Sequence, residues 1–338
     1  MTTPTIYRTT STDPDISYPK GIAINSDDNK AVICDIGNDV LCECHLYGLN
    51  QIQTVSRYVT HTVDTGNEVY DQVDMSNPTG ICYWNGYYFF TDTGNHVVVQ
   101  LDKNLNYVNH FGTVGTSGSS TSLLNGPQGL CHDGYYLYVC DITNARIVKL
   151  KLEDLSYVAQ DNNINGTFTP AGIAYQNWGD RNLYITDSTN TRVIKCKTDF
   201  TYITQNSANI SAPLGILVDN FVYVCDSIDD DIIVLETEDL TQVTTLSDST
   251  ITLTTPYGLA MWEDALFITD YGADRITVWR KYIPADDAAS DDDATFGLTD
   301  LTFGDDEPIL DDEEEYGTQN RWVEETKHKG RAIDWVEE

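Results

Sequence analysis

The sequence predicts an all-β propeller, a ring of four-stranded blades. Three observations carry that expectation. A pattern of apolar runs and turn residues repeats six times along the chain. The runs are short and rich in Val, Ile, Tyr and Thr, bounded by Gly, Asn, Asp or Ser. No segment of residues 1–283 keeps a capped helical period. At 41% hydrophobic and 11% aromatic, the 338 residues hold enough apolar material for a core, which excludes a wholly disordered chain.

Each unit opens on a Pro-x-Gly triplet followed by an apolar residue: Pro19–Ile22, Pro78–Ile81, Pro127–Leu130, Pro170–Ile173, Pro213–Ile216 and Pro256–Leu259. The glycines are 59, 49, 43, 43 and 43 residues apart. Proline lacks an N–H and belongs at a strand's first residue. Glycine there lets backbones pass closely where first strands crowd an axis.

A second run follows and ends in Asp: Asp35, Asp92, Asp141, Asp187, Asp226 and Asp270. Asn38, Asn95, Asn144 and Asn190 stand three residues further on. Short Asp and Asn side chains in a turn bond nearby backbone amides, so these positions are expected to stabilise turns. A ring of Ca²⁺-binding carboxylates is the competing reading. A third run comes next, such as Arg146–Leu150, Arg192–Cys196 and Arg275–Trp279. A lone four-stranded blade cannot cover both its faces, but two neighbours in a closed ring can.

The pattern resembles the NHL repeat, whose consensus runs through Pro-x-Gly-Ile, a Tyr-Val-x-Asp strand end and Asn-x-Arg-Ile. The resemblance covers roughly residues 15–283 and includes a linker at Phe111–Gly118 that looks like the family's blade connection. It implies a six-bladed β-propeller. The fifth unit departs from the pattern with Asp229, Asp230 and Asp231, the sixth has Ala273 for Asn, and the first has Asp39-Val40 and no Arg.

The sixth unit has room for three strands, so Thr5–Thr10 is expected to supply its outer strand and close the ring. About 16 extra residues within Asn50–Ser76 read as a long hairpin on the outer strands, or as a partner-binding protrusion. The expected division is a propeller over 1–283 and an acidic tail or docking arm over 284–338. The tail carries 19 acidic and four basic residues; Phe296, Phe303, Trp322 and Trp335 are its candidate docking positions.

Net charge is −34, from 53 acidic and 19 basic residues. That balance argues against nucleic acid, which is held by Lys and Arg, and against anionic lipid. No run approaches the length of a membrane helix, so membrane insertion is not expected. The start lacks a basic segment followed by an apolar one, and a cytoplasmic or particle-associated location is expected.

The resemblance brings with it axial-metal enzymes, lactonases and lyases among six-bladed propellers, the lyases using several histidines. Here His132 alone of the six histidines falls just after a first strand, and Lys20 stands where the lactonase type carries Glu. No nucleophile elbow, phosphate-binding glycine loop or His-Glu-x-x-His motif is present. Five of the eight cysteines recur at blade positions, Cys34, Cys140 and Cys225 at one and Cys82 and Cys131 at another; the cysteines read as reduced, buried thiols, with a Cys131–Cys140 disulfide as the alternative.

The expectation is therefore a non-enzymatic protein-binding or scaffold propeller, including the case of a structural component of a virion or other large assembly. It needs no cofactor, with Ca²⁺ bound loosely at most. A metal-dependent hydrolase or lyase and a carbohydrate-binding adhesin are the alternatives. The expected recognition surface is the face carrying the Pro-x-Gly triplets, through Lys20, Thr79, Gln128, Leu214 and Tyr257.

Overall fold

The computed structural model describes residues 16–46, 51–64, 67–247, 252–263 and 265–280. Among them the chain forms five four-stranded sheets, one three-stranded sheet and a two-stranded hairpin. The six larger sheets are the blades of a six-bladed β-propeller. Each is an antiparallel meander; blade 1 runs Pro19–Asn25, Lys30–Asp35, Val40–His45 and Gln51–Val55. The innermost strands of the other blades are Pro78–Trp84, Pro127–His132, Pro170–Tyr175, Pro213–Val218 and Pro256–Trp262. Each innermost strand touches both neighbours, and the sixth closes on the first. No helix among the described residues is long and apolar enough to cross a membrane.

The core lies between blades. Six apolar clusters each join two adjacent sheets. Phe89, Tyr138, Tyr184, Tyr223 and Phe267 hold one repeated position on the second strands, three residues before the Asp, and are buried. Each such aromatic contributes roughly 1.5–3 kcal/mol by leaving water. The hydroxyls are bonded as well: Tyr138 donates to Asp133 at 2.7 Å, and Tyr184 donates to the carbonyl of Thr237 at 2.7 Å.

The Pro-x-Gly triplet is a bulge. In all six blades the pairing of first and second strands skips between Pro and the apolar residue three positions on. The bulge sets the middle residue's carbonyl against the neighbouring blade. A Cβ on Gly215 would lie 1.8 Å from the carbonyl oxygen of Tyr257, and one on Gly258 would lie 2.1 Å from that of Lys20. Only glycine fits so close an approach.

The position before each Asp alternates around the ring: Cys34, Thr91, Cys140, Thr186, Cys225, Thr269. Each threonine hydroxyl accepts the N–H of its own bulge glycine and donates to the next blade's bulge carbonyl. Thr91 reaches Gln128, Thr186 reaches Leu214, and Thr269 reaches Lys20. Blades 2 and 3, 4 and 5, and 6 and 1 are thus linked by hydroxyls. Between those pairs the buried thiols of Cys34, Cys140 and Cys225 take the same place. All eight cysteines are free thiols.

The repeated Asp is a turn residue, as its chemistry led one to expect. Asp141 accepts the N–H of Asn125 at 2.7 Å, the side-chain amide of Asn144 at 2.7 Å and Nε of Arg146 at 2.8 Å. Asp187 repeats the set with Thr169, Asn190 and Arg192. Arg146 also donates to three carbonyls and to Gln160, so its buried charge is paired and hydrogen-bonded. Blade 2 has Val97 where these arginines stand. There Tyr58 donates to Asp92 at 3.0 Å.

Tyr58 belongs to the extra segment between blades 1 and 2, which forms the expected hairpin, Arg57–Asp64 paired with Asn67–Asp74. The Tyr58 ring stacks on Tyr107 at 5.9 Å and meets Phe90 edge-on at 6.2 Å. This pins the root of the hairpin to blade 2. Blade 6 shows three strands among the described residues. The expected closing strand Thr5–Thr10 and the tail positions Phe296, Phe303, Trp322 and Trp335 lie outside the described residues.

Candidate functional site

The six innermost strands enclose a cavity of about 520 Å³ on the ring axis. Its volume is that of a small-ligand or side-chain pocket. Ile22, Ile81, Ile173 and Ile216, with Leu130 and Leu259, make its wall apolar. The two ends differ, because the innermost strands begin at the bulges and end at the hairpins leading to the second strands.

At the bulge end, side chains meet across the axis. The Tyr257 hydroxyl of blade 6 donates to Oε1 of Gln128 on blade 3, the opposite blade, at 3.1 Å. Nζ of Lys20 stands 4.7 Å from the centre of the Tyr257 ring and 5.8 Å from that of Tyr271. Burial lowers the Lys20 pKa and raises that of Tyr257. Thr79 is 2% exposed and its hydroxyl donates to the carbonyl of Asn77 at 3.0 Å. Leu214 is half-buried and its carbonyl is taken by Thr186. The five residues expected to form a recognition surface converge on the axis, where Lys20, Gln128 and Tyr257 form a plug.

At the hairpin end the wall is partly exposed. Tyr83, Trp84, His132, Asp133, Tyr175 and Asn177 line the mouth. The hairpins of blades 2, 3 and 4 carry exposed aromatics around it: Trp84 at 42%, Tyr87 at 39%, Tyr135 at 77% and Trp178 at 38%. Sequence reasoning passed over these four, since they fall outside the repeated positions. The visible signal was an aromatic beside each of three successive hairpin turns.

Two polar groups at the mouth differ in their bonding. Asp133 is satisfied: Oδ1 accepts the N–H groups of Tyr135 and Tyr136, and Oδ2 accepts the Tyr138 hydroxyl. His132 bonds through Nε2 to the carbonyl of Tyr83 at 3.2 Å. A carbonyl only accepts, so Nε2 carries the proton and Nδ1 is left as an acceptor. Nδ1 is buried and has no hydrogen-bond partner within the protein. The ring lies 4.8 Å from that of Trp84, and burial lowers its pKa.

Three other histidines with described side chains lie apart from the mouth. His96 accepts the N–H of Gly126 at 3.1 Å, His110 pairs with Tyr107 at 2.7 Å, and His45 is the exposed last residue of the third strand of blade 1. Among the described residues no three His, Cys, Asp or Glu side chains are grouped to hold a metal ion.

No family model matches the chain, and no curated protein matches it. Solved structures do. A virginiamycin B lyase from Staphylococcus aureus is similar at 17% identity and TM-score 0.55, covering 80% of this chain and 83% of that one. A streptogramin B lyase is similar at 16% identity and TM-score 0.55, covering 83% and 87%. A nidogen/laminin complex is similar at 16% identity and TM-score 0.53, covering 72% and 84%. At these identities the likeness is one of fold.

Proposed function

We propose that the protein is a non-catalytic recognition propeller that grips another protein at the hairpin-side mouth of its ring. The observation that carries this reading is the rim of Trp84, Tyr87, Tyr135 and Trp178 beside an open apolar cavity. Tyr and Trp offer large, stiff contact area with a polar edge, and they dominate the energetics of protein interfaces. Four exposed aromatics on three successive hairpins fit a contact surface, where such residues are enriched. The fold supports the reading too, since one structural neighbour is a nidogen/laminin complex, an assembly between proteins. The reading moves the recognition surface from the bulge face, where it was expected, to the opposite one.

The test compares two full-chain variants as baits in extracts of the source cells, read by quantitative mass spectrometry. Trp84→Ala with Tyr135→Ala should lose the partner that wild type retains. Lys20→Ala, on the plugged face, should keep it. Loss with Lys20→Ala and retention with the aromatic variant would reverse the assignment.

A further inference from the structure

We infer that the mouth takes an arginine side chain presented by the partner protein. This rests on the recognition reading above and names the chemistry of the anchor. The first support is charge. The loops joining first to second strands carry Asp27, Asp28, Asp133, Asp180, Asp219 and Glu263, from five of the six blades. Among the described residues of those loops, Arg181 is the cation set against them; Lys103 from the neighbouring blade pairs with Asp28 at 3.6 Å, and Asp133 is the carboxylate that lines the cavity itself. A cavity with low-dielectric walls and a net acidic surround attracts a cation.

The second support is the wall itself. Tyr83, Trp84 and Tyr175 line the mouth with aromatic rings. Flat aromatic faces favour a guanidinium, which is planar, weakly hydrated and stacks well. The ring already uses this attraction internally. Lys149 sits 4.0 Å from the centre of the Tyr136 ring, and Lys20 covers Tyr257. The isoleucine wall below the rings accepts the arginine's methylene stem.

The third support is the bare Nδ1 of His132. A buried acceptor without a donor costs free energy, and a ligand N–H that reaches Nδ1 once the packed Trp84 and His132 rings shift apart removes that cost. Arginine carries five such donors and no acceptor. An acidic or neutral apolar side chain meets neither the carboxylates nor the imidazole.

The test titrates full-chain protein with four capped pentapeptides, Ala-Ala-x-Ala-Ala, where x is arginine, lysine, citrulline or leucine. Binding is read by Trp emission and by calorimetry to millimolar concentration, at low and at physiological salt. The arginine peptide should bind at least tenfold more tightly than citrulline and leucine, and more tightly than lysine. Trp84→Ala and His132→Leu leave the protein's formal charge unchanged and should each weaken it at least tenfold. The Trp84 ring is exposed, so that variant retains the fold, which circular dichroism checks.

Several results would overturn the inference. They are equal binding of arginine and citrulline, equal binding of arginine and lysine, tighter binding of leucine, or no binding by any peptide. Arginine binding untouched by either substitution would also overturn it, because it would report diffuse attraction to an acidic protein. In each case, continued loss of the partner from the Trp84→Ala, Tyr135→Ala bait would leave the recognition reading standing.

Discussion

The hydroxyl of Tyr257 on the sixth blade bonds to the side-chain oxygen of Gln128 on the third, 3.1 Å away and across the axis of the ring. Two blades that share no sheet edge are tied by one hydrogen bond that crosses the axial channel at that end. Lys20 completes the plug by lying over the Tyr257 ring. The cross-axis contact narrows the cavity at the bulge end, whereas the hairpin end carries the aromatic rim on which the proposed function rests.

Removing the cross-axis bond is the simplest perturbation. Tyr257→Phe keeps the ring under Lys20 and deletes the donor. Urea unfolding should show a loss of about 1 kcal/mol, typical of one hydrogen bond. Gln128→Leu alone should cost a similar amount. The double variant should cost less than the sum of the two, since the pair is coupled.

The seam between the last blade and the first is held by Thr269, whose hydroxyl accepts from Gly258 and donates to the carbonyl of Lys20. Thr269→Val preserves shape and leaves both backbone groups unsatisfied. It should destabilise the protein by about 1–3 kcal/mol, measured as a shift in the denaturant midpoint. Thr269→Ser should restore most of that loss.

Tyr58 does for Asp92 what arginine does for Asp141 and Asp187. Burial pushes the Asp92 carboxyl up to about 6, opposed by hydrogen bonds from Asn95, Ser76 and Tyr58. Tyr58→Phe removes one of those donors and should raise that pKa further. The expected cost at neutral pH is about 1.5–3 kcal/mol, as for a hydrogen bond to a charged group. Chemical denaturation at pH 7 checks it, and the deficit should shrink at pH 5.

Asp231 sets a pH dependence with a definite sign. It stands where blades 3, 4 and 6 carry Arg, and burial followed by repulsion from Asp226, Asp229 and Asp230 pushes its carboxyl up to about 6. The folded state holds this proton more tightly than the unfolded chain, whose Asp titrates near the ordinary value of about 3.9. Stability therefore falls as pH rises from about 4 to about 6 and is regained on acidification. Asp231→Asn should raise the melting temperature at pH 7 and make little difference at pH 4.

Much of the architecture was legible because the repeat puts the same chemistry at the same place in every blade. Pro19 and its five counterparts announce the innermost strands. Asp35 and its counterparts announce the turns, because a short carboxylate beside backbone amides has one obvious use. The Thr and Cys alternation from Cys34 to Thr269 was equally visible, although its meaning needed the bulge carbonyls in three dimensions. The candidate site was not legible. Tyr257 and Gln128 are separated by 129 residues and belong to different repeats, so no local pattern joins them. Tyr58 stands outside the repeat altogether. Trp84 and Tyr135 fall outside the repeated positions, and the closed ring is what brings their hairpins to one rim.

The most direct measurement is hydroxyl-radical footprinting of the protein with the partner captured on the wild-type bait, compared with the purified chain. Strong protection of Trp84, Tyr87, Tyr135 and Trp178, with Tyr18 and Tyr271 on the plugged face unchanged, is the predicted result. Protection of Tyr18 and Tyr271 with the four rim aromatics fully reactive would contradict it.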